Sequence, residues 1–237
     1  MTSPASDPAA PGHPLDHPVW HSLRSGWSAL AEGDALAMRL HTEHGPFAAT
    51  AGQELAALRP LIPADGELWL VGRDAAATAP PDIHVARTAL LAQMVAPRVT
   101  AATTTLPDWV VLGEEDASTM LELALLTKPG PFRPLTHRLG RFIGVREGGR
   151  LVAMAGERMR MPGFTEVSGV CTHPDWRGRG LAGALMRVVM QAMLDRGETP
   201  FLHAYAAHDR TIALYRTLGF EVRAQLPMMV VTHPPAN

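Results

Sequence analysis

Cysteine is almost missing from this chain: Cys171 stands alone among 237 residues, so no disulfide can form within it, which fits a reducing compartment. Lysine is as scarce, with Lys128 the single one, and arginine carries nearly all the positive charge. Basic runs are absent and the formal net charge is -2, so the electrostatic footprint of a nucleic-acid binder is lacking. Long apolar runs are lacking too. The stretch 185–194 is broken by Arg187 and Gln191 and falls short of the roughly 20 residues that a membrane-spanning helix needs. The first residues have neither a basic start nor an apolar run, which argues against a secretory signal. A cytoplasmic protein with no membrane or nucleic-acid partner is expected. Histidine is plentiful, at 11, yet no histidine stands with cysteine or carboxylates at metal-ligand spacing, and no metal is expected.

What is present is enough apolar sequence, 46%, for a sizeable core. Residues 1–14, rich in Pro, Ala, Ser and Asp, read as a disordered lead-in. Residues 15–105 read as an α/β region, with helices over 19–30 and 53–59 and strands over 35–40, 46–50 and 67–71. A Thr-rich segment at 100–107 places a domain junction near residue 105. In residues 106–237 the pattern is clearer: a strand at 109–112, then a helix at 114–126 that Pro129, Gly130 and Pro131 terminate. Strands at 142–146 and 151–158 flank a Glu-Gly-Gly-Arg turn, and another strand covers 165–172. A glycine-rich loop at 177–183 leads into a helix that runs to Leu194, followed by a strand at 201–205, a helix at 208–218 and a last strand at 221–231.

The loop can hold a pyrophosphate. It runs from a strand through Gly178 and Gly180 into a helix, and glycines let backbone approach an anion while the first unpaired helix N–H groups point outward. Arg177 and Arg179 add charge beside it. A tight strand-to-helix turn explains the same two glycines without any ligand. No Gly-Lys-Ser/Thr ending is present, so this is not a Walker loop. Gly178, Gly180 and Gly183 fit the spacing of the dinucleotide fingerprint, but residues 173–177 intervene after the strand and the strand at 201–205 carries no acid, which speaks against that reading.

Arg177, Gly180 and Ala182 form Arg-x-x-Gly-x-Ala, which resembles motif A of the GNAT N-acetyltransferase superfamily. Residues 208–220, with Leu214, Tyr215, Leu218, Gly219 and Phe220, resemble its motif B, although His208 stands where Asn is usual and Thr211 where Ala is common. The resemblance covers about 108–232 and extends to a likeness with the glycine N-acyltransferase-like branch. It implies an α/β (α+β) fold whose mixed, mostly antiparallel central sheet is flanked by helices, with residues 15–105 as a degenerate half that completes the acceptor cleft. It implies acetyl-CoA as co-substrate, its pantetheine arm along Val170, Cys171 and Thr172. Its pyrophosphate is implied on Arg177, Gly178, Arg179, Gly180, Leu181, Ala182 and Gly183, with His208 beside it. The implied reaction moves an acetyl group to the amine of a small molecule or peptide by direct attack on the thioester. A non-catalytic acyl-CoA-binding regulator, a transferase using another acyl-CoA, and a homodimer all remain open.

By the same resemblance Tyr215 stands where relatives use a phenol to protonate the departing thiolate, and a hydroxyl with an unperturbed pKa near 10 suits that task. Packing beneath Leu218 and Phe220 is its other reading. Glu166 lies eleven residues before Arg177, the offset at which the histone-acetylating branch carries its general base. A carboxylate on a central strand is costly without a role or a partner, so Glu166 is either that base or an ion pair with Arg158 or Arg160. Cys171 reads as a small hydrophobe more than a nucleophile. His203 faces the acceptor or is structural, His173 shapes a turn, and residues 129–132 form an acceptor wall or a helix stop.

Overall fold

The computed structural model of the protein describes residues 12–101 and 107–235. The expected lead-in up to residue 11 and the junction expected near residue 105 lie outside the described residues.

A 3-10 turn, Pro14–Asp16, leads into helix α1, Pro18–Leu23. The helix expected over 19–30 stops here because the chain must pass close to the sheet: a Cβ on Gly26 would sit 2.6 Å from the Arg160 carbonyl oxygen, and the Gly26 N–H donates to that oxygen at 3.2 Å. A small antiparallel sheet follows, of β1 (Ala31–Gly33), β2 (Ala37–Leu40) and β3 (Ala48–Thr50). The segment expected to be helical at 53–59 is a 3-10 helix, Leu55–Leu61, with Pro60 inside it; proline has no N–H for an α-helical bond.

The main sheet has eight strands. In chain order they are β4 (Leu68–Val71), β5 (His84–Val95), β6 (Val110–Leu112), β7 (Phe142–Glu147), β8 (Arg150–Met161), β9 (Phe164–Thr172), β10 (Thr199–Tyr205) and β11 (Glu221–Thr232). Their spatial order is β4-β11-β5-β10-β9-β8-β7-β6. Only β9 and β10 run parallel; the other neighbours are antiparallel. Strand β5, a stretch to which the sequence reading assigns no element, lies between β10 and β11. Its run Ala89-Leu90-Leu91-Ala92-Gln93 favours helix by propensity, and pairing on both edges overrides that preference. Strands from both sides of residue 105 thus belong to one sheet.

Helix α2, Ala117–Thr127, and helix α3, Leu181–Asp195, cover opposite faces of the sheet. Alternation along β8 shows why: Ala153 and Ala155 join the cluster containing Leu185 and Met190 of α3, while Met154 joins that of Met120 and Leu123 of α2. Leu15, Val19, Trp27 and Phe47 cover the rest of the α2 face by packing on Leu91, Met159, Phe201 and Met228. Helix α4, Asp209–Thr217, closes the α3 face through Ile212.

Candidate active site

Strands β9 and β10 pair only from Phe164 with Thr199 to Glu166 with Phe201. Beyond that point β9 runs on to Thr172 and β10 to Tyr205 with no ladder between them, so the sheet opens into a cleft whose apex is Glu166. A second irregularity sits on the other edge of β9: between the pairs Met154–Cys171 and Gly156–Ser168, Gly169 and Val170 together oppose Ala155. Gly169 has φ 62, and a Cβ there would meet Phe142 at 2.7 Å, so glycine is required. Val170, Cys171 and Thr172 therefore follow a bulge on the splayed part of the strand. Sequence reasoning missed Gly169, although a lone glycine inside a strand is the usual signal of a bulge.

A cavity of about 780 Å³ occupies this cleft. Val170, His203, Ala204 and Tyr205 wall it from the parting strands, and His208, Thr211 and Tyr215 wall it from α4 and the turn before it. Phe47, Trp69, Val71, Leu91 and Met228 supply an apolar side, and Lys128 with Pro129, Gly130 and Pro131 closes the end below α2. Both tyrosines of the chain and its one lysine meet here. Residues before position 100 thus form a large share of the wall.

Tyr215 is partly buried, its ring 6.0 Å from that of Phe220, and burial pushes its hydroxyl above the ordinary value of 10. The ring packs as the second reading of Tyr215 expects, and the residue also lines the cavity. His208 is exposed, 5.2 Å from the Tyr205 ring, and its backbone carbonyl caps α4 by accepting from Thr211 and Ile212.

Glu166 is 1% exposed and is not part of the cavity wall. Arg158 grips it with two hydrogen bonds, Nε at 2.8 Å and Nη2 at 3.0 Å, and His203 Nδ1 lies 2.9 Å from its Oε1. Burial alone would raise the pKa of this carboxyl, but the Arg158 charge and the His203 and Arg158 hydrogen bonds outweigh it and hold it at about 2. His203 Nε2 in turn faces Gln93 Nε2 at 3.1 Å. Arg223 donates to Gln93 Oε1 at 2.8 Å, which fixes the amide so that its nitrogen donates both to the Leu15 carbonyl and to His203. His203 therefore accepts at Nε2 and carries its proton on Nδ1. Asp16 completes the chain by accepting from Arg223 at 2.7 Å.

Cys171 packs with α2 and not in the cavity; burial pushes its thiol up to about 11, away from nucleophilic use. His173 accepts from the Asp175 N–H at the turn, as expected of it. Arg177 and Arg179 stand exposed on the loop, Arg179 stacked 4.3 Å over Trp176. Gly178 and Gly180 have φ 78 and φ 75 with open space on the Cβ side. Gly180 is the N-cap of α3 and offers no side-chain cap, and its carbonyl accepts from the Ala184 N–H at 3.0 Å, so the N–H groups of Leu181, Ala182 and Gly183 at the helix end precede the first intrahelical bond. An anionic ligand such as a pyrophosphate fits this cradle. Among the described residues no group of three or more His, Cys, Asp or Glu could hold a metal.

A mostly antiparallel sheet opened by a strand splay, with an uncapped helix start beside it, defines an acyltransferase-type architecture, and comparison with known proteins agrees. The FR47-like protein family matches residues 142–227. A solved GNAT-family structure from Novosphingobium aromaticivorans is 45% identical, covers 94% of this chain and all of its own, and superposes with a TM-score of 0.86. The N-alpha-acetyltransferase RimI of Mycobacterium tuberculosis is 35% identical over 92 residues, 38% of this chain and 57% of that protein. A mycothiol acetyltransferase of Corynebacterium aurimucosum is 37% identical over 62 residues, 26% of this chain and 20% of that protein. The chain thus spans 57% and 20% of the length of these two curated relatives. This protein belongs to the GNAT family. The glycine N-acyltransferase-like branch, expected from the sequence, finds no support in these relatives.

Proposed function

We propose that the protein is an acetyl-CoA-dependent N-acetyltransferase that acts on an amine. The observation that carries this reading is a cavity lined by both Val170, on the splayed edge of β9, and Tyr215. Leu181, Ala182 and Gly183 N–H groups, with Arg177 and Arg179, bind the pyrophosphate at the start of α3. The backbone of Val170, Cys171 and Thr172 holds the pantetheine arm, and His208 flanks it. Acetyl-CoA supplies, when bound, the thioester whose carbonyl carbon takes the amine nitrogen as its C–S bond breaks.

Tyr215 donates the proton that the departing sulfur needs, and the proton that the nitrogen loses on becoming an amide passes to water, from which the phenol is restored. With an ordinary value of 10 that burial raises further, the hydroxyl is protonated at neutral pH, which is the form an acid requires. Glu166 serves as a positioning residue: ionised, buried and committed to Arg158 and His203, it offers no free basic oxygen to the cavity. Titration calorimetry with acetyl-CoA, followed by thiol-release assays over a panel of amines, tests the reading. Saturable binding and amine-dependent thiol release are expected; no heat of binding in the folded protein would overturn it.

A further inference from the structure

Resting on the acetyltransferase reading, we propose that the acceptor is a small amine carrying a carboxylate and an apolar side chain, with Arg158 as the anchor for the carboxylate. Arg158 and Met159 are consecutive on β8, and in a regular strand they would face opposite sides. Here both line the cavity, because between the pairs Glu157–Val167 and Arg160–Thr165 these two residues stand opposite Glu166 alone. The bulge is supported from outside: the Trp27 indole N–H donates to the Arg158 carbonyl at 2.9 Å.

The guanidinium is held by Glu166 at one edge and by Phe47 on one face. Nε and Nη2 bind Glu166, the plane lies 4.6 Å over the Phe47 ring, and the side chain is only 12% exposed. Nη1 makes no hydrogen bond among the described residues, and Arg158 is part of the cavity wall. A guanidinium fixed in this way loses little freedom on meeting a carboxylate. Two further cations stand at the same wall without an acidic partner among the described residues: Arg87, stacked 4.7 Å over Trp69, and Lys128, at φ 52. The left-handed backbone of Lys128 is the C-cap of α2, its N–H donating to the Ala124 carbonyl at 2.7 Å, which sets the side chain at the helix end. Against them the wall carries one carboxylate, Glu67, which accepts from the Trp69 indole at 2.6 Å. The remaining surface, from Phe47, Trp69, Leu91, Met159 and Met228, suits an apolar body. An amine at a peptide N-terminus lacks the neighbouring carboxylate that this arrangement would meet.

The test compares α-amino acids with apolar side chains, phenylalanine and methionine among them, with their carboxamides and with peptides that begin with the same residues. The carboxamide lowers the basicity of its amine and so provides more of the reactive neutral form; a preference for the acid cannot come from amine reactivity. Expected is a kcat/KM at least roughly tenfold higher for the acids. The preference should fall towards one in Arg87→Gln with Lys128→Gln, both on the exposed rim. Arg158→Lys should diminish it as well, since lysine keeps the charge without the fork. Preference for carboxamides or peptide amines, or turnover of no acid while acetyl-CoA still binds, overturns the inference and leaves the acetyltransferase reading standing. Failure to bind acetyl-CoA overturns both.

Discussion

Tyr215 and Glu166 stand close in the chemistry expected of the sequence and far apart in what the structure lets them do. Burial raises the pKa of Tyr215, so Tyr215→Phe removes a proton donor while the ring that packs on Phe220 stays. General acid catalysis contributes roughly 100-fold to 10,000-fold, and a fall of that order in kcat with nearly unchanged acetyl-CoA affinity is expected. Steady-state kinetics with a good acceptor and calorimetry on the same variant check it; equal kcat with chemistry rate-limiting rules the role out. For Glu166 the expected effect of substitution is on stability. Its carboxyl titrates at about 2 in the folded chain against an ordinary value of 4.5, so the unfolded chain binds the proton first as pH falls. The stabilisation is fully present above pH 4.5 and is lost between 4.5 and 2. That depression corresponds to about 3 kcal/mol at neutral pH, in line with the roughly 3–5 kcal/mol for leaving one member of a buried ion pair alone. Denaturant melts of Glu166→Gln should show a loss of that order at pH 7, and a gap to wild type that narrows at pH 3. A gap independent of pH would mean that folding leaves the pKa of this carboxyl unchanged.

At the scale of elements, the start of α3 makes a separable claim. Gly180 has φ 75, so any side chain there is strained, and a loss of binding on substitution says nothing by itself about charge. Gly180→Ala carries the strain alone and Gly180→Asp adds a negative charge at an open helix start. Calorimetry should show acetyl-CoA binding weakened by Gly180→Ala and nearly abolished by Gly180→Asp; equal effects from the two would remove the pyrophosphate from this helix end. Much of this region was legible in the sequence, because glycines, a helix start and the order strand, loop, helix are local features. The expected strand at 165–172 and helix at 208–218 correspond to Phe164–Thr172 and Asp209–Thr217. What stayed hidden is non-local. The break after Leu23 depends on the Arg160 carbonyl, far along the chain, and the aim of Arg158 depends on a register shift between two strands. No propensity or spacing encodes either of them. Gly169 is the exception, since its glycine was on view and only the bulge it serves was not.

Seen whole, the molecule joins its two ends through one strand. β5 pairs with β10 from Leu91 to Val95 and with β11 from His84 to Val95, so it is a central element although it precedes residue 105. Side chains repeat the pattern: Gln93 on β5 is fully buried and links Leu15 and Arg223 to His203, and Phe47, Trp69 and Arg87 wall the cavity from the same side. A fragment of residues 106–237 would contain every residue of the two sequence motifs and still leave the facing edges of β10 and β11 without a partner. Two unpaired central edges expose rows of backbone donors and acceptors, together with the apolar faces that Leu91, Ala92 and Met94 cover. Such a fragment should show no cooperative thermal transition and should bind a hydrophobic dye, while the full chain melts in one step. Adding a separate polypeptide of residues 12–101 should restore a cooperative transition and acetyl-CoA binding. If the fragment alone melts cooperatively and binds acetyl-CoA as the full chain does, the first hundred residues are an accessory and β5 is not needed to hold the sheet together.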